Sequence, residues 1–489
     1  MANQPHILLV SLDSVRADHL PCYGYGRQTM PYLDQLAQES TLFEYAYTPA
    51  WWTLPAHASL FTGTSVSRHG ICKGAMSPQK LSDRQLVTLP EFLCRAGYQT
   101  VGFSGAAAIS RDTLFDRGFD DFYEPWKLIE ESHPLYTPLR QISDFFGKNW
   151  VWRINWLYES GWYRRWDKGA AKTIRLFQHW LDRIWDRKRP FFAFLHLFEA
   201  HAAYWPPATY RQAFLNGHQA PKELALRHAA PWAYYNGEAE ISDAEFELLT
   251  ALYDAELLYL DSILQQLLTT LLQKHGVLEN TLVIITADHG ECLGEHGYFQ
   301  HTPFCIYEPL IRVPLVIRHP ALFPARQRIS IPVSLYDLFP TIAEVVGLEA
   351  GHLAQQWQGE CIAPTRVDFL ADRPVFIEAL NPLAEEAGRS HSEVNAVRYD
   401  YYLRAVRWQH YKLIWHSKGA HELYDVWADP TECMNLIHRE SALAYELQRK
   451  LEDWLESFEP DLLPSDSNER DELHEETVRR LRALGYVDF

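Results

Sequence analysis

Short, unbroken apolar runs recur along the chain, separated by stretches with helical periodicity. His6-Ile-Leu-Leu-Val-Ser-Leu-Asp13 is the first such run, and a continuous apolar segment of that length reads as a strand buried on both faces of a sheet. Gln99–Ser104, Phe191–His196, Thr281–Asp288, Val313–Arg318 and Val375–Glu378 repeat the pattern. Between them, Met30–Ser40, Leu89–Ala96 and Ala244–Lys274 carry apolar residues at helical spacing. Thr53-Leu-Pro-Ala-His57 opens a short helix, with proline in its first turn and Gly63 at its end, the usual asymmetry of helix termini. The stretch before it, up to Trp52, is rich in aromatics and prolines and is expected to be a loop. Strands alternating with helices predict an α/β fold, a mostly parallel sheet flanked by helices.

The pattern changes near Arg398. Tyr401–Trp408 and Tyr411–Trp415 read as short aromatic strands, Leu423-Tyr-Asp425 as a strand and turn, and Glu440–Phe458 and Asp471–Leu484 as charged helices. The expected organisation is a catalytic domain over 1–390 and a small C-terminal antiparallel α+β subdomain over 391–489, with the boundary in the polar stretch 385–397. One insertion stands apart: residues 126–175 hold six tryptophans and nine Lys/Arg against five Asp/Glu. Its aromatic and guanidinium groups serve either as packing and surface stems or as a rim for a bulky or lipid-like anionic substrate.

Composition narrows the function classes. With 45 Lys+Arg against 63 Asp+Glu the net charge is −18, and 47% of residues are hydrophobic. This excludes a disordered chain and argues against a nucleic-acid partner. An anionic substrate stays open, because a local cationic site can outweigh the global field. Seven scattered cysteines without a Cys-x-x-Cys pair, no basic leader and no long apolar stretch point to a reduced, cytoplasmic protein without a transmembrane segment.

Two predicted strands end in residues that bind metals: Asp13, and Asp288-His289-Gly290-Glu291. Open α/β sheets bind ligands at the carboxyl ends of their strands. Carboxylate oxygen and imidazole nitrogen suit Mn²⁺ or Zn²⁺, with Mg²⁺ or Ca²⁺ as further candidates. A mononuclear site of Asp13, Asp288 and His289 leaves a position for one more oxygen, and Thr53 is the candidate. A threonine hydroxyl needs help to deprotonate, which a cation gives, and a helix start favours the resulting anion.

Leu8-Leu-Val-Ser-Leu-Asp-Ser-Val-Arg-Ala-Asp-His-Leu-Pro-Cys-Tyr-Gly-Tyr25, Trp52-Thr-Leu-Pro-Ala-His-Ala-Ser-Leu-Phe-Thr-Gly63 and Ala287-Asp-His-Gly-Glu-Cys-Leu-Gly-Glu-His-Gly297 resemble, in order, the opening, nucleophile and second metal motifs of the sulfatase family of the alkaline phosphatase superfamily. Tyr307–Leu315 and Leu423–Leu436 continue the resemblance over nearly the whole chain. The departures are informative. Where sulfatases carry Cys-x-Pro-x-Arg, whose cysteine or serine becomes formylglycine, this chain has Thr53-x-Pro55-x-His57; the usual Asp pair is Asp13-Ser14. The resemblance therefore implies a threonine-nucleophile variant lacking formylglycine. It also implies that His201 and His301 face the substrate, with His57 standing where the family has arginine. His196, Glu199 and His296 are weaker candidates, and a second metal on His201 and His301 lacks an obvious Asp partner.

The expected activity is a metal-dependent hydrolase or phosphotransferase. It would cleave a phosphate or sulfate ester through a covalent Thr53 intermediate, with phosphodiester or phosphonate substrates favoured. The alternatives are a sulfatase without formylglycine and a noncatalytic binding protein on the same fold. A dinucleotide oxidoreductase is a poor fit, because Asp13-Ser-Val-Arg-Ala-Asp18 lacks the glycine-rich turn such a cofactor needs.

Overall fold

The computed structural model describes residues 4–72, 80–81, 86–127, 167–221, 224, 232–235, 237, 239–348, 351–380 and 401–458. In chain order its strands are β1 (His6–Leu12), β2 (Thr41–Tyr47), β3 (Gln99–Ser104), β4 (Asp121–Tyr123), β5 (Phe191–Leu197), β6 (Thr281–Ala287), β7 (Cys292–Leu293), β8 (Phe299–Gln300), β9 (Arg312–Arg318), β10 (Gln327–Ile329), β11 (Val333–Ser334), β12 (Val375–Ala379), β13 (Leu403–Trp408), β14 (Tyr411–His416) and β15 (Glu422–Asp425). The main sheet runs β10-β2-β9-β6-β1-β5-β3-β4, with β11 also on β2. The five strands from β6 to β4 are parallel, whereas β9 is antiparallel to both β6 and β2.

The apolar runs behave as their composition dictates. β5 and β6 are buried at every position and β1 at all but His6, as in a sheet covered on both faces. Asp243–Thr270 forms a 28-residue helix started by a capping box between Ser242 and Glu245, which satisfies two N-terminal backbone donors reciprocally. It packs on the helices Pro31–Ala37 and Ala170–Arg183. Register then decides where the chemistry gathers. Leu12 lies opposite Leu197 on one side and Ala287 on the other, so β1, β5 and β6 end level, and the residues that follow them share one edge. The helix Thr53–Thr62 is buried along its whole length and stops at Gly63, which adopts φ 69°.

Two elements differ from expectation. The presumed loop before Trp52 contains β2, whose Thr-Leu-Phe-Glu-Tyr-Ala-Tyr sequence is β-branched and aromatic. The prolines come only after it. Val375–Ala379 does not join the main sheet; it pairs antiparallel with β13 and completes a four-stranded sheet β12-β13-β14-β15. That sheet carries the helix Ser441–Glu456, with Trp454 stacked on Phe376 at 4.3 Å. The stretch 385–397, the helix expected over Asp471–Leu484 and the centre of the 126–175 insertion lie outside the described residues. Among the described residues no helix is long and apolar enough to cross a membrane.

Candidate active site

Asp13 leaves β1 and Asp288 leaves β6, both buried. Their Oδ1 atoms are supplied with donors: Ser14 Oγ–H donates to Asp13 Oδ1 at 2.8 Å, while the N–H groups of Ser14 and His289 donate to Asp288 Oδ1 at 3.2 and 2.9 Å. Ser14 reaches both carboxylates from a left-handed backbone, φ 60°. The two Oδ2 atoms have no hydrogen-bond partner. Buried carboxylate oxygens in that condition are costly unless a cation faces them.

His289 supplies the third arm. Its Nδ1–H donates to the Gly290 carbonyl at 2.8 Å, which leaves the Nε2 lone pair directed at the cluster. Nε2 lies 3.6 Å from Asp288 Oδ2, 3.9 Å from Asp13 Oδ1 and 3.3 Å from Thr53 Oγ1. Ligand atoms of Asp13, Asp288 and His289 fall within 4.8 Å of one another. Oxygen and nitrogen donors at this spacing, two carboxylate oxygens otherwise unpaired, fit a divalent cation. Thr53 is the first residue of its helix and 1% exposed, so its hydroxyl stands at the positive end of the helix.

His57 sits one turn further along that helix. Its Nδ1–H donates to the Thr53 carbonyl at 2.8 Å and its Nε2 accepts from Ser11 Oγ at 3.0 Å. Burial and the neighbouring His196 pull its pKa down to about 4. Both ring nitrogens are engaged, one within the Thr53 turn and one with Ser11. His57 is the residue expected as the charge-stabilising counterpart of the family arginine, and its low pKa disfavours the cationic form.

His201 and His301 do come together, ring centroids 5.0 Å apart, with His301 4.7 Å from His289. Glu291 Oε1 lies 3.2 Å from His301 Nδ1. Burial opposes the charge on His301, but the Glu291 carboxylate prevails and raises its pKa. His201, stacked on Phe198 at 4.3 Å and donating to the Ala202 carbonyl at 2.7 Å, is pushed by burial down to about 4. One imidazole of the pair favours its cationic form, the other its neutral form. The loop carrying His201 is held by Lys168, whose ammonium donates to the Glu199 and His201 carbonyls at 2.5 and 2.6 Å and pairs with Glu256 at 3.0 Å.

Some of these roles had little sequence signal. Lys168 lies near the end of the tryptophan-rich insertion and is invisible as a loop anchor until the long helix brings Glu256 beside it. Glu291 appears only as part of the second metal motif. His196 ends a phenylalanine-rich run, and only the β5–β1 adjacency places its Nε2 3.2 Å from Asp13 Oδ2. Burial alone would lower its pKa, but the carboxylates of Asp13 and Asp288 raise it to about 9. Glu199 Oε1 accepts the Ala170 N–H at 2.8 Å and belongs to the loop scaffold. His296 is exposed, stacked on Tyr307 at 3.9 Å, and lies outside the cluster.

The sulfatase family model matches residues 5–348, and a model described as N-sulphoglucosamine sulphohydrolase, C-terminal, matches residues 294–460. An N-acetylglucosamine-6-O-sulfatase from Bacteroides thetaiotaomicron is 23% identical, with 98% of this chain and 90% of that protein covered. Arylsulfatase K from Bos taurus is 26% identical over 91% of this chain and 81% of its own length. Among solved structures, a phosphonate monoester hydrolase of Agrobacterium radiobacter shares the fold with a TM-score of 0.66 at 19% identity, covering 93% of this chain and 96% of that one. A protein solved with its substrate D-glucosamine-2-N,6-O-disulfate has a TM-score of 0.67 at 20% identity, covering 96% and 100% of the two chains.

Proposed function

The chain belongs to the sulfatase family, ester hydrolases of the alkaline phosphatase superfamily, and on that premise we propose that it cleaves a phosphate or phosphonate ester with Thr53 as nucleophile. The observation that carries this reading is the position of Thr53 Oγ1. It lies 3.3 Å from His289 Nε2, at the first turn of a buried helix, beside two carboxylate oxygens without partners.

Asp13, Asp288 and His289 would hold a divalent cation, with Mn²⁺ or Zn²⁺ favoured by the imidazole donor. When bound, the cation supplies Lewis acidity that favours the Thr53 alkoxide and neutralises an ester oxygen. The remaining work falls to the chain. The helix N-terminus stabilises the oxyanion of Thr53, and His57 holds the turn that aims it. Thr53 Oγ, its proton released to solvent, forms a bond to phosphorus in line as the bond from phosphorus to the ester oxygen breaks. His301, whose proton the Glu291 carboxylate helps to hold, gives that oxygen its proton, and His201 lines the same pocket. Water, or a second alcohol if the enzyme is a transferase, then takes the phosphoryl group from Thr53.

Phosphoryl transfer is preferred because a threonine cannot become formylglycine, and a sulfothreonine lacks the hydrate's route for expelling sulfate. The second reading, a sulfate ester hydrolase working without formylglycine, is favoured by the sulfatase names of the relatives. Steady-state kinetics on a phosphodiester, a phosphonate monoester and a sulfate monoester, with Mn²⁺, Zn²⁺ and Ca²⁺ each added back, separates the two. The phosphorus esters are expected to be the better substrates; a sulfate ester preferred by several orders of magnitude would replace the first reading with the second.

A further inference from the structure

We infer that His196 is a fourth protein ligand of the cation held by Asp13, Asp288 and His289, giving a set of two carboxylates and two imidazoles. The inference rests on the proposed metal reading and extends it. His196 is 0% exposed, and neither of its ring nitrogens has a hydrogen-bond partner. Buried polar atoms seldom remain in that state. His196 is the register partner of Ser11 in β1, so both side chains leave the same face of the sheet as Asp13, two residues on. Its Nε2 lies 3.2 Å from Asp13 Oδ2 and 3.8 Å from Asp288 Oδ2. Those are the same two oxygens that no other group satisfies. Three partnerless atoms thus converge from the ends of three strands, β1, β5 and β6.

With no cation bound, the two carboxylates draw a proton onto His196, yet the 3.2 Å contact with Asp13 makes no hydrogen bond and the 3.8 Å contact with Asp288 is too long for one. A shared cation needs the lone pairs aimed at a common point and not at each other. His57 does not compete for that role although it lies within ligand distance of the cluster. Both its nitrogens are engaged, with Thr53 and Ser11, and its ring meets His196 edge-on at 4.8 Å. That edge-on contact packs against the His196 ring, with His57 Nδ1 itself 3.7 Å from Asp288 Oδ2. Two imidazoles shift the preference of the site from hard cations such as Ca²⁺ towards Mn²⁺ and Zn²⁺.

The test is electron spin-echo spectroscopy on the full chain loaded with Mn²⁺, which counts nitrogens coupled to the metal, together with Mn²⁺ and Ca²⁺ titrations. Two coupled imidazoles are expected in the wild type and one in His196→Gln. The variant should bind Mn²⁺ about 10–100-fold more weakly, the scale on which changes around a metal site act, and lose less affinity for Ca²⁺. A single coupled imidazole in the wild type overturns the inference and leaves the three-ligand reading standing. Absence of any Mn²⁺ binding overturns both. Should His196→Gln fail to fold, the wild-type nitrogen count alone decides.

Discussion

At the residue scale the proposed mechanism divides the chemistry among Thr53, His289 and His301, a division that follows from what each side chain is already doing. His289 Nδ1 is spent on Gly290, so only Nε2 can face the cluster. His301 is turned by Glu291 towards its cationic form, which suits it to protonate a leaving group. A general acid matters most when the leaving oxygen is basic. His301→Gln is therefore expected to slow an alkyl ester by about 10²–10⁴-fold and a nitrophenyl ester far less. Equal losses on both, measured as kcat/KM, would remove His301 from the acid role.

The elements fix these residues by backbone approach as much as by side chains. Gly290 sits where an added Cβ would lie 2.0 Å from the Pro309 carbonyl oxygen, so the turn carrying Asp288 and His289 packs directly on the segment before β9. Gly290→Ala is expected to cost about 1–3 kcal/mol or more, the range for overpacking a close contact, and to weaken divalent-ion binding by displacing His289. Thermal melts and metal titration check both, and an unchanged protein would show that the turn has slack. Most of this framework was legible in the sequence, because β1, β5, β6 and the helix ending at Gly63 are dictated by local patterns: apolar runs, a proline, a terminal glycine. What escaped was decided by neighbours. β2 was hidden by the prolines that follow it, β12 took its partner from beyond residue 400, and His196 gained meaning only when β5 settled beside β1.

At the scale of the whole molecule, one buried charge cluster and one buried carboxyl tie the layers together. Lys412 of the second sheet is fully buried, with its ammonium 3.1 Å from Glu308 Oε1, 2.5 Å from Glu432 Oε1 and 3.1 Å from the Ile306 carbonyl. Lys412→Ala leaves two carboxylates without their cation and is expected to destabilise by about 3–5 kcal/mol, read as a lower denaturation midpoint; a change within error would mean that water replaces the ammonium. Asp261, on the long helix, accepts the backbone N–H groups of Tyr32 and Leu33 at 2.8 and 2.9 Å. Burial nevertheless pushes its pKa up to about 6 from 3.8. A carboxyl whose pKa is raised by folding binds its proton more tightly in the native state. Its contribution to stability is therefore greatest below about pH 4, falls as the pH rises to about 6, and is level above. Relative to Asp261→Asn, the wild type should lose stability across that window; parallel pH profiles of the two proteins would contradict the assignment.

Rapid-quench digestion and mass spectrometry of the peptide containing Thr53 during turnover, in the wild type and in Thr53→Ala, reveal whether Thr53 carries the transferred group. A phosphoryl group on Thr53 is expected in the wild type, and in the variant a folded protein with no adduct and activity reduced to background. Full activity in Thr53→Ala, or steady turnover with no modified Thr53 at any time point, would contradict its role as nucleophile.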